Sequence, residues 1–213
     1  MKNVNLNAIE NSLSYDAYME LVGQLTKANA TTGPDQSEIM VNFTKLNYRR
    51  MTRLNKTIIV SDMLVKMISN LPYKMTWVII AEAWCGDAAQ NVPYIAKLAA
   101  ACANVEIRVV LRDESPDFMD TYLTNGSRSI PKAIVFKTEG LEELVTWGPR
   151  PDFIQQQVIA YKKDAPAEID YEKFAESIHA WYAKDKNKAL EGELITLFTS
   201  LTNQVHTPLT SSI

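Results

Sequence analysis

From residue 15 to about residue 71 the apolar positions recur every three to four residues, the spacing of a helix with one buried face. Three helices are predicted there, at about residues 15–25, 35–54 and 61–71. Ser14 is a typical N-cap residue for the first of them, and Pro72 ends the third. Residues 1–12 show no periodicity, so we expect them to pack loosely. This region has no grouping of residues that suggests chemistry of its own, and we interpret residues 1–73 as a helical N-terminal extension.

The second predicted helix carries apolar residues and an excess of basic residues. We expect four apolar side chains to face the core: Met40, Phe43, Met51 and Leu54. Five basic residues lie in or beside the same segment: Lys45, Arg49, Arg50, Arg53 and Lys56. A solvated helix face accounts for such a run, and the alternative is a site for an anion or an acidic partner.

From residue 76 onward the pattern consists of short apolar runs rich in β-branched residues, which is typical of buried strands. Four strands are predicted, at residues 76–83, 105–111, 130–136 and 144–147. Helices are predicted between or after them, at about residues 86–103, 115–125 and 151–163. Strands joined by helical crossovers lie parallel, whereas the turn at residues 139–140 joins an antiparallel hairpin. The order β-α-β-α-β-β-α therefore predicts an α/β core over residues 74–163.

Two further helices are predicted in the C-terminal region, residues 164–213. Each has an apolar stripe that we expect to lie in the core. The first stripe comprises Tyr171, Phe174, Ile178, Trp181 and Tyr182, and the second comprises Leu190, Leu194, Leu197, Phe198 and Leu201. Residues 202–213 are polar, so we expect a mobile tail there. We expect the extension, the core and the C-terminal helices to form one compact domain.

Composition and charge limit the classes of function. The 213 residues are 46 % apolar and 22 % charged, as in an ordinary globular protein. The net charge of −3 gives no electrostatic reason to expect nucleic acid as a partner. No apolar run approaches the roughly 20 residues that span a bilayer, and the first residues lack the apolar stretch of a signal peptide. We therefore expect a soluble, cytoplasmic protein in a reducing compartment, with neither nucleic acid nor membrane as a partner.

The chain has two cysteines, Cys85 and Cys102. If one helix joins them, its rise separates them by about 25 Å, whereas a disulfide needs Cα atoms within about 7 Å. We therefore expect no disulfide between them, and we interpret Cys102 as a small buried apolar side chain. The two cysteines and two histidines are too scattered for a metal site, and no cofactor is predicted.

Cys85 follows the first predicted strand and begins the helix after it. This is the layout of a nucleophilic or redox-active thiol, because the helix dipole and the N–H groups of the first turn favour the thiolate. Asp87 is a like charge in that turn and raises the pKa of the thiol. Neither His179 nor His206 is expected near this motif, so a Cys–His dyad is not predicted.

Around Cys85 the sequence resembles the thioredoxin family, over roughly residues 74–163. The segment Trp84-Cys85-Gly86 matches the start of the family's Trp-Cys-Gly-Pro-Cys motif, and Pro93 matches its helix-kinking proline. The segment Arg128-Ser129-Ile130-Pro131 resembles the one that opens a strand with a cis-proline, and Gly148 matches a glycine after the last strand. The resemblance implies a thioredoxin-like three-layer α/β/α sandwich, here with extra N- and C-terminal helices. It also implies that Pro131 is cis and that the Trp-Cys-Gly segment is exposed.

Two positions of the motif depart from the family's pattern. Ala88 stands where the family has its second cysteine, and Asp87 stands where it has the intervening proline. The family's buried aspartate, which helps to deprotonate the second thiol, is replaced by Ile79. These losses are mutually consistent, because a lone buried carboxylate is costly and has no second thiol to serve. The chain resembles a branch with a Trp-Cys-Gly-Asp motif and a helical N-terminal extension.

The resemblance implies a monothiol protein in which Cys85 is the nucleophile of thiol–disulfide exchange. The residues implied to bind substrate are Trp84, Gly86, Asp87, Arg128, Ile130, Pro131 and Gly148. Arg128 is also a candidate to offset the charge of Asp87. The expected partners are the thiols and disulfides of proteins or of small molecules.

Other interpretations of the same residues stay open. The groove beside Trp84, Ile130 and Pro131 can belong to a redox-inactive module that binds a peptide or a protein, or these residues can serve the fold alone. A monothiol glutaredoxin-like role, with glutathione and a shared iron–sulfur cluster, goes with a Cys-Gly-Phe-Ser motif, whereas this chain has Cys-Gly-Asp-Ala. The helical extensions are also a candidate dimer interface.

Overall fold

The structure, a computed structural model, describes residues 6–164 and 171–206, and within them four strands form one mixed sheet. The strands are β1 (Met75–Ala81), β2 (Val105–Leu111), β3 (Lys132–Lys137) and β4 (Glu143–Trp147), in the order β2-β1-β3-β4. β1 pairs in parallel with β2 and antiparallel with β3, and β3 pairs antiparallel with β4. All seven residues of β1 are buried, and successive side chains of a strand point to opposite faces. Helices therefore cover both faces of the sheet.

Nine helices accompany this sheet in the described part of the chain. Those before β2 are α1 (Leu6–Glu10), α2 (Tyr15–Ala28), α3 (Glu38–Thr57), α4 (Asp62–Ser69) and α5 (Gly86–Ala100). Those after β2 are α6 (Pro116–Asp120), α7 (Asp152–Asp164), α8 (Tyr171–Asp185) and α9 (Lys188–His206). The predicted fold class, an α/β sandwich with extra helices at both ends of the chain, is confirmed. α9 continues to residue 206, so part of the predicted tail is helical, and residues 207–213 lie outside the described residues.

The direction of β3 differs from the sequence prediction. A helical crossover between β2 and β3 predicts parallel strands, yet β3 runs antiparallel to β1. The end of β1 pairs with the end of β2 and with the start of β3, as Ala81↔Leu111 and Ile80↔Lys132 show. The connection therefore stays at the end of the sheet where β1 and β2 finish, because α6 has five residues and is too short to run back along the strands. Cys85 and Pro131 meet at this end of the sheet.

Residues 6–13 form a helix and a bridge to the sheet. Because Leu6–Glu10 are helical and Ala8 is buried, the expectation that residues 1–12 pack loosely is corrected for residues 6–12, and residues 1–5 lie outside the described residues. After α1, Leu13 forms an antiparallel bridge with Val109 of β2. The Leu13 N–H donates to the Val109 carbonyl at 2.9 Å, and the Val109 N–H donates to the Leu13 carbonyl at 2.7 Å. β2 is an edge strand, so its outer backbone groups are available to such a segment, whatever the side-chain pattern of that segment.

The inner face of α3 is partly polar, which corrects one of the predicted core residues. Its buried residues are Val41, Thr44, Asn47 and Met51, whereas Phe43 is 40 % exposed and Met40 and Leu54 are half-buried. Thr44 and Asn47 can be buried because both are hydrogen-bonded. The Thr44 and Thr31 hydroxyls lie 2.5 Å apart, and the Asn47 amide donates to the Ala83 carbonyl at 2.9 Å. These partners are distant in the sequence, so the apolar pattern, which correctly predicts that Met51 is buried, does not reveal that Thr44 and Asn47 are buried in place of Phe43.

The two C-terminal helices pack in different ways. Four residues of the α9 stripe are buried as predicted: Leu190, Leu194, Phe198 and Leu201. Phe198 stacks on Trp77 of β1, with ring centroids 5.5 Å apart. In α8 the apolar stripe instead lies against α7: Phe174 stacks on Tyr161, and Trp181 stacks on Phe153. Tyr182 is the buried member of this stripe, and the side chain of Tyr171 lies outside the described residues. No helix of the described chain is long and apolar enough to cross a bilayer.

Candidate functional site

Cys85 caps the N-terminus of α5, the helix that follows β1. Its sulfur accepts a hydrogen bond from the Ala88 backbone N–H, with a sulfur–nitrogen distance of 3.4 Å. The first N–H groups of a helix have no partner within the helix, so a side chain at this position can satisfy one of them. The residues from Ala88 to Ala96 are all buried, so α5 holds the thiol on a rigid support.

The thiol of Cys85 is covered in this structure, and its environment favours the protonated form at neutral pH. Cys85 is 8 % exposed, which corrects the expectation of an exposed Trp-Cys-Gly segment. Its S–H donates to the Ile130 carbonyl oxygen at 3.4 Å. Burial, and then the nearby Asp87 carboxylate, raise the pKa of the Cys85 thiol to about 12, against smaller opposing effects of the Ala88 N–H and Arg150. The effect of the helix terminus is thus outweighed, and this arrangement is unreactive at neutral pH.

The Asp87 carboxylate is held by two residues from later parts of the chain. Its Oδ2 pairs with the Arg150 guanidinium, at 2.7 Å from Nη2 and 2.8 Å from Nε. Its Oδ1 accepts a hydrogen bond of 2.8 Å from the Tyr182 hydroxyl. The Asp87 and Arg150 side chains are 16 % and 15 % exposed, so this ion pair is shielded from solvent far more than a surface pair. The pair neutralises a charge that would otherwise lie uncompensated beside the thiol.

Arg150, and not Arg128, offsets the charge of Asp87. The Arg128 guanidinium binds the two carboxylate oxygens of Asp120 at 2.6 and 2.7 Å. Both of these side chains are about half exposed. The structure therefore does not bring the predicted Arg128 side chain together with the Asp87 carboxylate, although the Arg128 backbone carbonyl accepts a hydrogen bond from Arg112 at 3.4 Å.

α8 lies across the first turn of α5, and His179 makes the closest approach to Gly86. A Cβ atom on Gly86 would lie 2.9 Å from His179 Cε1, so this position has no room for a larger residue unless the ring moves. Burial and the Arg50 guanidinium lower the pKa of His179 to about 4, although Asp87 opposes this shift. The ring is therefore neutral at pH 7. The expectation that His179 lies far from the motif was wrong, and the side chain of His206 lies outside the described residues.

Further polar contacts fix α8 and the start of α9 to the same turns of α5. His179 Nδ1 lies 3.4 Å from Gln90 Nε2, and the Asn187 amide donates to the Gln90 carbonyl at 3.1 Å. The Asn91 amide donates to the Tyr182 hydroxyl at 3.1 Å. We call His179 and Tyr182 the α8 cover, because these two side chains of α8 lie on the residues that follow Cys85. Hydrogen bonds join it to α5, in addition to the aromatic stacks that join α8 to α7.

Two loops face the thiol from the other side. The Ile130–Pro131 and Gly148–Pro149 peptide bonds are both cis. Gly148 has φ +111°, and a Cβ there would collide with the Pro131 carbonyl oxygen, so the position requires glycine. The Lys132 ammonium donates to the Gly148 carbonyl at 2.9 Å and ties the loops together. The structure thus brings together Cys85, Ile130, Pro131 and Gly148, as the sequence indicates.

Trp84 is half-buried and forms another side of the site. The Arg112 guanidinium lies 4.6 Å from the centroid of the Trp84 ring, a cation–π contact that the sequence analysis did not include. Arg112 also pairs with Asp113, with Nε 2.7 Å from Oδ1. These contacts fix the indole beside the thiol.

The second cysteine plays no part in this site. Cys102 is 2 % exposed, as predicted for a small buried side chain, and its S–H lies 3.8 Å from the Val65 carbonyl. Both cysteines are free thiols. Among the described residues no group of three or more histidine, cysteine or acidic side chains is placed to hold a metal ion.

Sequence reasoning missed five residues of the site: Arg50, Arg112, Arg150, His179 and Tyr182. Two of them had usable signals. Arg150 comes two residues after Gly148, so a basic side chain at the rim of the site could have been expected. Tyr182 ends an apolar stripe with a hydroxyl that needs a partner once it is buried. Arg50 and His179 gave no such signal, since one lies in a basic run and the other in an amphipathic helix.

The chain matches the family model described as thioredoxin over residues 33–165, which is well over half of its length. The protein belongs to the thioredoxin family. The match begins at residue 33, so it includes α3 and α4 as well as the sheet and α5. None of the curated proteins compared with this thioredoxin-family chain matches it.

Two solved structures share the fold at low sequence identity. A protein of unknown function from Pseudomonas aeruginosa is 14 % identical, with a TM-score of 0.58, and the similarity covers 92 % of this chain and 97 % of that chain. An HIV epitope scaffold is 13 % identical, with a TM-score of 0.52, and the coverage is 94 % and 96 %. At these identities the likeness concerns the fold, and it extends to the N- and C-terminal helices.

Proposed function

We propose that this thioredoxin-family protein carries out thiol–disulfide exchange through Cys85 alone, from a conformation in which the α8 cover has moved away. The observation that supports this proposal most directly is the position of the Cys85 sulfur. It caps α5 and accepts the Ala88 N–H at 3.4 Å, next to the cis peptide bond of Pro131. An N–H group aimed at sulfur stabilises a thiolate once the thiol loses its proton.

The proposed reaction has two exchange steps. The Cys85 thiolate attacks one sulfur of a substrate disulfide, so a mixed disulfide forms and the other sulfur leaves as a thiolate. A second thiol, from a protein or from a small molecule of the reducing cytoplasm, then attacks the mixed disulfide. It forms a new disulfide with the substrate sulfur and releases the Cys85 thiolate. The external thiol is needed because Ala88 occupies the place of a second cysteine.

Movement of the α8 cover changes the balance that sets the pKa of Cys85. Burial is the largest cause of the raised pKa, and exposure to water removes it. The Ala88 N–H and Arg150, which lower the pKa of Cys85, are then opposed only by Asp87, which raises it. In this open conformation we propose that Trp84, Ile130, Pro131 and Gly148 bind the substrate, with Gly86 and Asp87 in the adjoining turn. The Ile130 carbonyl, which accepts a hydrogen bond from the Cys85 S–H in the covered state, becomes available to substrate when the thiol ionises.

The test is the rate of Cys85 alkylation by iodoacetamide as a function of pH, in a Cys102→Ala background. We expect slow reaction with a midpoint near pH 12, because the covered thiol is protonated. Gly86→Ala displaces the His179 ring, since the new Cβ would lie 2.9 Å from it. We expect this variant to react at least about tenfold faster at pH 8, with a lower midpoint.

The same variants are then incubated with oxidised glutathione. A mixed disulfide on Cys85 that forms faster in Gly86→Ala supports exchange from an uncovered state. If Gly86→Ala alkylates faster but forms no mixed disulfide, uncovering is confirmed and exchange is rejected. If neither reaction changes while circular dichroism shows a folded protein, the cover does not control the thiol.

A second candidate function is a redox-inactive binding module. It is favoured by the hydrogen bond from the Cys85 thiol to the Ile130 carbonyl, which makes the thiol a structural group. Cys85→Ser separates the two functions, because exchange requires the sulfur whereas a serine hydroxyl can keep both the cap and the bond to Ile130.

A further inference from the structure

The outer face of α3 carries a group of exposed apolar side chains. Ile39 is 64 % exposed, Phe43 is 40 % exposed and Leu46 is 45 % exposed. They are spaced by four and three residues, so they lie on one face of the helix. The opposite face of α3 is the one that packs against the core, through Val41 and Met51. Single exposed apolar residues are common, but three in register on one helix indicate a contact surface.

The same face becomes basic towards the C-terminus of α3. Arg49, Arg53 and Lys56 are exposed. Within residues 6–164 and 171–206, none of these three side chains forms an ion pair. Burial and the proximity of Arg53 lower the pKa of the Arg50 guanidinium, which shows that positive charges crowd this end of the helix. Among the residues that the structure describes, the basic half of the face therefore has no paired carboxylate.

We propose that this outer α3 face, comprising Ile39, Phe43, Leu46, Arg49, Arg53 and Lys56, docks an amphipathic helix of an acidic partner protein. From Ile39 to Lys56 the face is about 25 Å long, which matches a partner helix of roughly 17 residues. The partner presents apolar side chains to the first half of α3 and carboxylates to the second half. The charge complementarity specifies the partner's orientation, and the apolar contacts supply most of the affinity.

A protein partner fits this face better than a membrane does. An interfacial helix keeps apolar and basic residues side by side along its whole length, so that all of it reaches the lipid surface. On the outer face of α3 the exposed side chains of the two kinds follow one another: Ile39, Phe43 and Leu46 come first, and Arg49, Arg53 and Lys56 come after them. The whole chain also has a net charge of −3, which opposes adsorption to an anionic membrane or to nucleic acid.

The test starts from the intact protein and a phage-displayed library of random peptides of about 18 residues, long enough to form the partner helix. We expect enriched peptides to combine apolar residues at helical spacing with a cluster of acidic residues. Synthetic copies are then measured by fluorescence anisotropy. Phe43→Ser and the double variant Arg49→Glu/Arg53→Glu should each weaken binding by about tenfold or more.

Two control variants match these changes elsewhere on the surface. Leu123→Ser is the control for Phe43→Ser, because Leu123 is 41 % exposed and Phe43 is 40 % exposed. Lys162→Glu/Lys163→Glu is the control for Arg49→Glu/Arg53→Glu, because it makes the same change of charge on α7. Both should leave affinity within about twofold of the unchanged protein, as surface changes outside a contact do. Cys85→Ser should also bind normally, so the result does not depend on the proposed exchange reaction.

Three outcomes would overturn the proposal. One is enrichment of peptides without the acidic cluster, and another is binding that the α3 variants do not weaken more than the controls. The third is that the protein binds phosphatidylglycerol-containing vesicles or duplex DNA more tightly than the acidic peptides and that the same α3 variants lose this binding. That last result would assign the face to a lipid or nucleic-acid surface instead.

Discussion

The Tyr182 hydroxyl donates a hydrogen bond of 2.8 Å to Asp87 Oδ1 and so joins α8 to the turn that follows Cys85. Asp87 raises the pKa of the thiol, and Tyr182 belongs to the α8 cover, which lies on the turn that follows Cys85. One contact thus connects the charge beside the sulfur with the cover above it. Loss of this contact should change both the stability of the protein and the reactivity of Cys85.

Tyr182→Phe removes the hydroxyl and keeps the ring. A hydrogen bond to a charged group contributes about 1.5–3 kcal/mol, so we expect urea unfolding to give a free energy lower by roughly 2 kcal/mol. We also expect Cys85 to react with iodoacetamide about five- to tenfold faster at pH 8, because α8 is held less tightly. Such an increase corresponds to a loss of about 1–1.4 kcal/mol from the free energy of a local opening of α8.

Tyr73→Phe is the matched control for Tyr182→Phe. The Tyr73 hydroxyl is a buried atom without a hydrogen-bond partner. Tyr73 precedes β1 in the sequence, whereas Cys85 follows it. Its removal should leave the reactivity of Cys85 unchanged. Equal reactivity of Cys85 in both variants and in the parent protein would argue against any role of Tyr182 in covering the thiol.

The raised pKa of Cys85 predicts a loss of stability in alkaline solution. The folded protein favours the protonated thiol up to about pH 12, whereas the unfolded chain ionises near pH 9. The stabilising contribution is therefore complete below pH 9 and decreases as the pH rises towards 12. By pH 10.5 the decrease should be about 2 kcal/mol in the free energy of unfolding.

The measurement compares the parent protein with Cys85→Ser in urea unfolding experiments between pH 8 and pH 10.5. Buried tyrosines whose pKa Cys85 does not influence, such as Tyr15, also have raised pKa values, and they contribute equally to both proteins. Cys85 itself raises the pKa of Tyr18, so the difference between the two curves reports the thiol together with its effect on Tyr18. Parallel curves would mean that Cys85 ionises near its ordinary pKa in the folded protein.

The local structure around Cys85 could be predicted from the sequence because it depends on near neighbours. A run of β-branched residues ends at Ala81, and the cysteine occupies the N-cap of a helix rich in alanine. The loop that ends in Pro131 and the position of Gly148 followed from the family resemblance. These features place the thiol, the cis peptide bond and the glycine at one edge of the sheet.

The packing of α8 on the turn after Cys85 could not be predicted, because it depends on contacts between distant parts of the chain. Tyr182 was assigned to the core by its place in an apolar stripe, yet its hydroxyl binds a carboxylate 95 residues earlier. His179 looked isolated because no polar residue near it in sequence is its partner. Whether such side chains meet depends on how α8 packs, which periodicity does not specify.

Gly148 predicts a large effect of a small substitution. In Gly148→Ala the new Cβ would collide with the Pro131 carbonyl, in addition to the cost of a positive φ. Gly140→Ala is the control, because Gly140 has φ +76° and nothing within 4 Å of a new Cβ. Thermal unfolding should show a loss of about 1 kcal/mol for Gly140→Ala and of several kcal/mol for Gly148→Ala. Equal losses would show that the close approach to Pro131 is relaxed at little cost.

His179 predicts a loss of stability in acid. Its pKa is lowered to about 4 by burial and by Arg50, while the unfolded chain binds a proton near pH 6.5. The stability that the neutral ring contributes to the folded protein is therefore complete above pH 6.5 and is lost as the pH falls towards 4. Because the ring is partly exposed, we expect a decrease of about 1 kcal/mol at pH 5. His179→Gln should abolish this decrease, since glutamine does not titrate.

The acid effect should also reach the thiol, because protonated His179 is repelled by Arg50 and lies on Gly86. The reaction of Cys85 with 4,4′-dithiodipyridine, relative to the urea-unfolded chain at the same pH, should increase between pH 7 and pH 5 in the Cys102→Ala protein. His179→Gln should show no such increase. An increase of the same size in His179→Gln would assign the acid opening to another group, and a loss of stability without faster reaction would separate His179 from the cover.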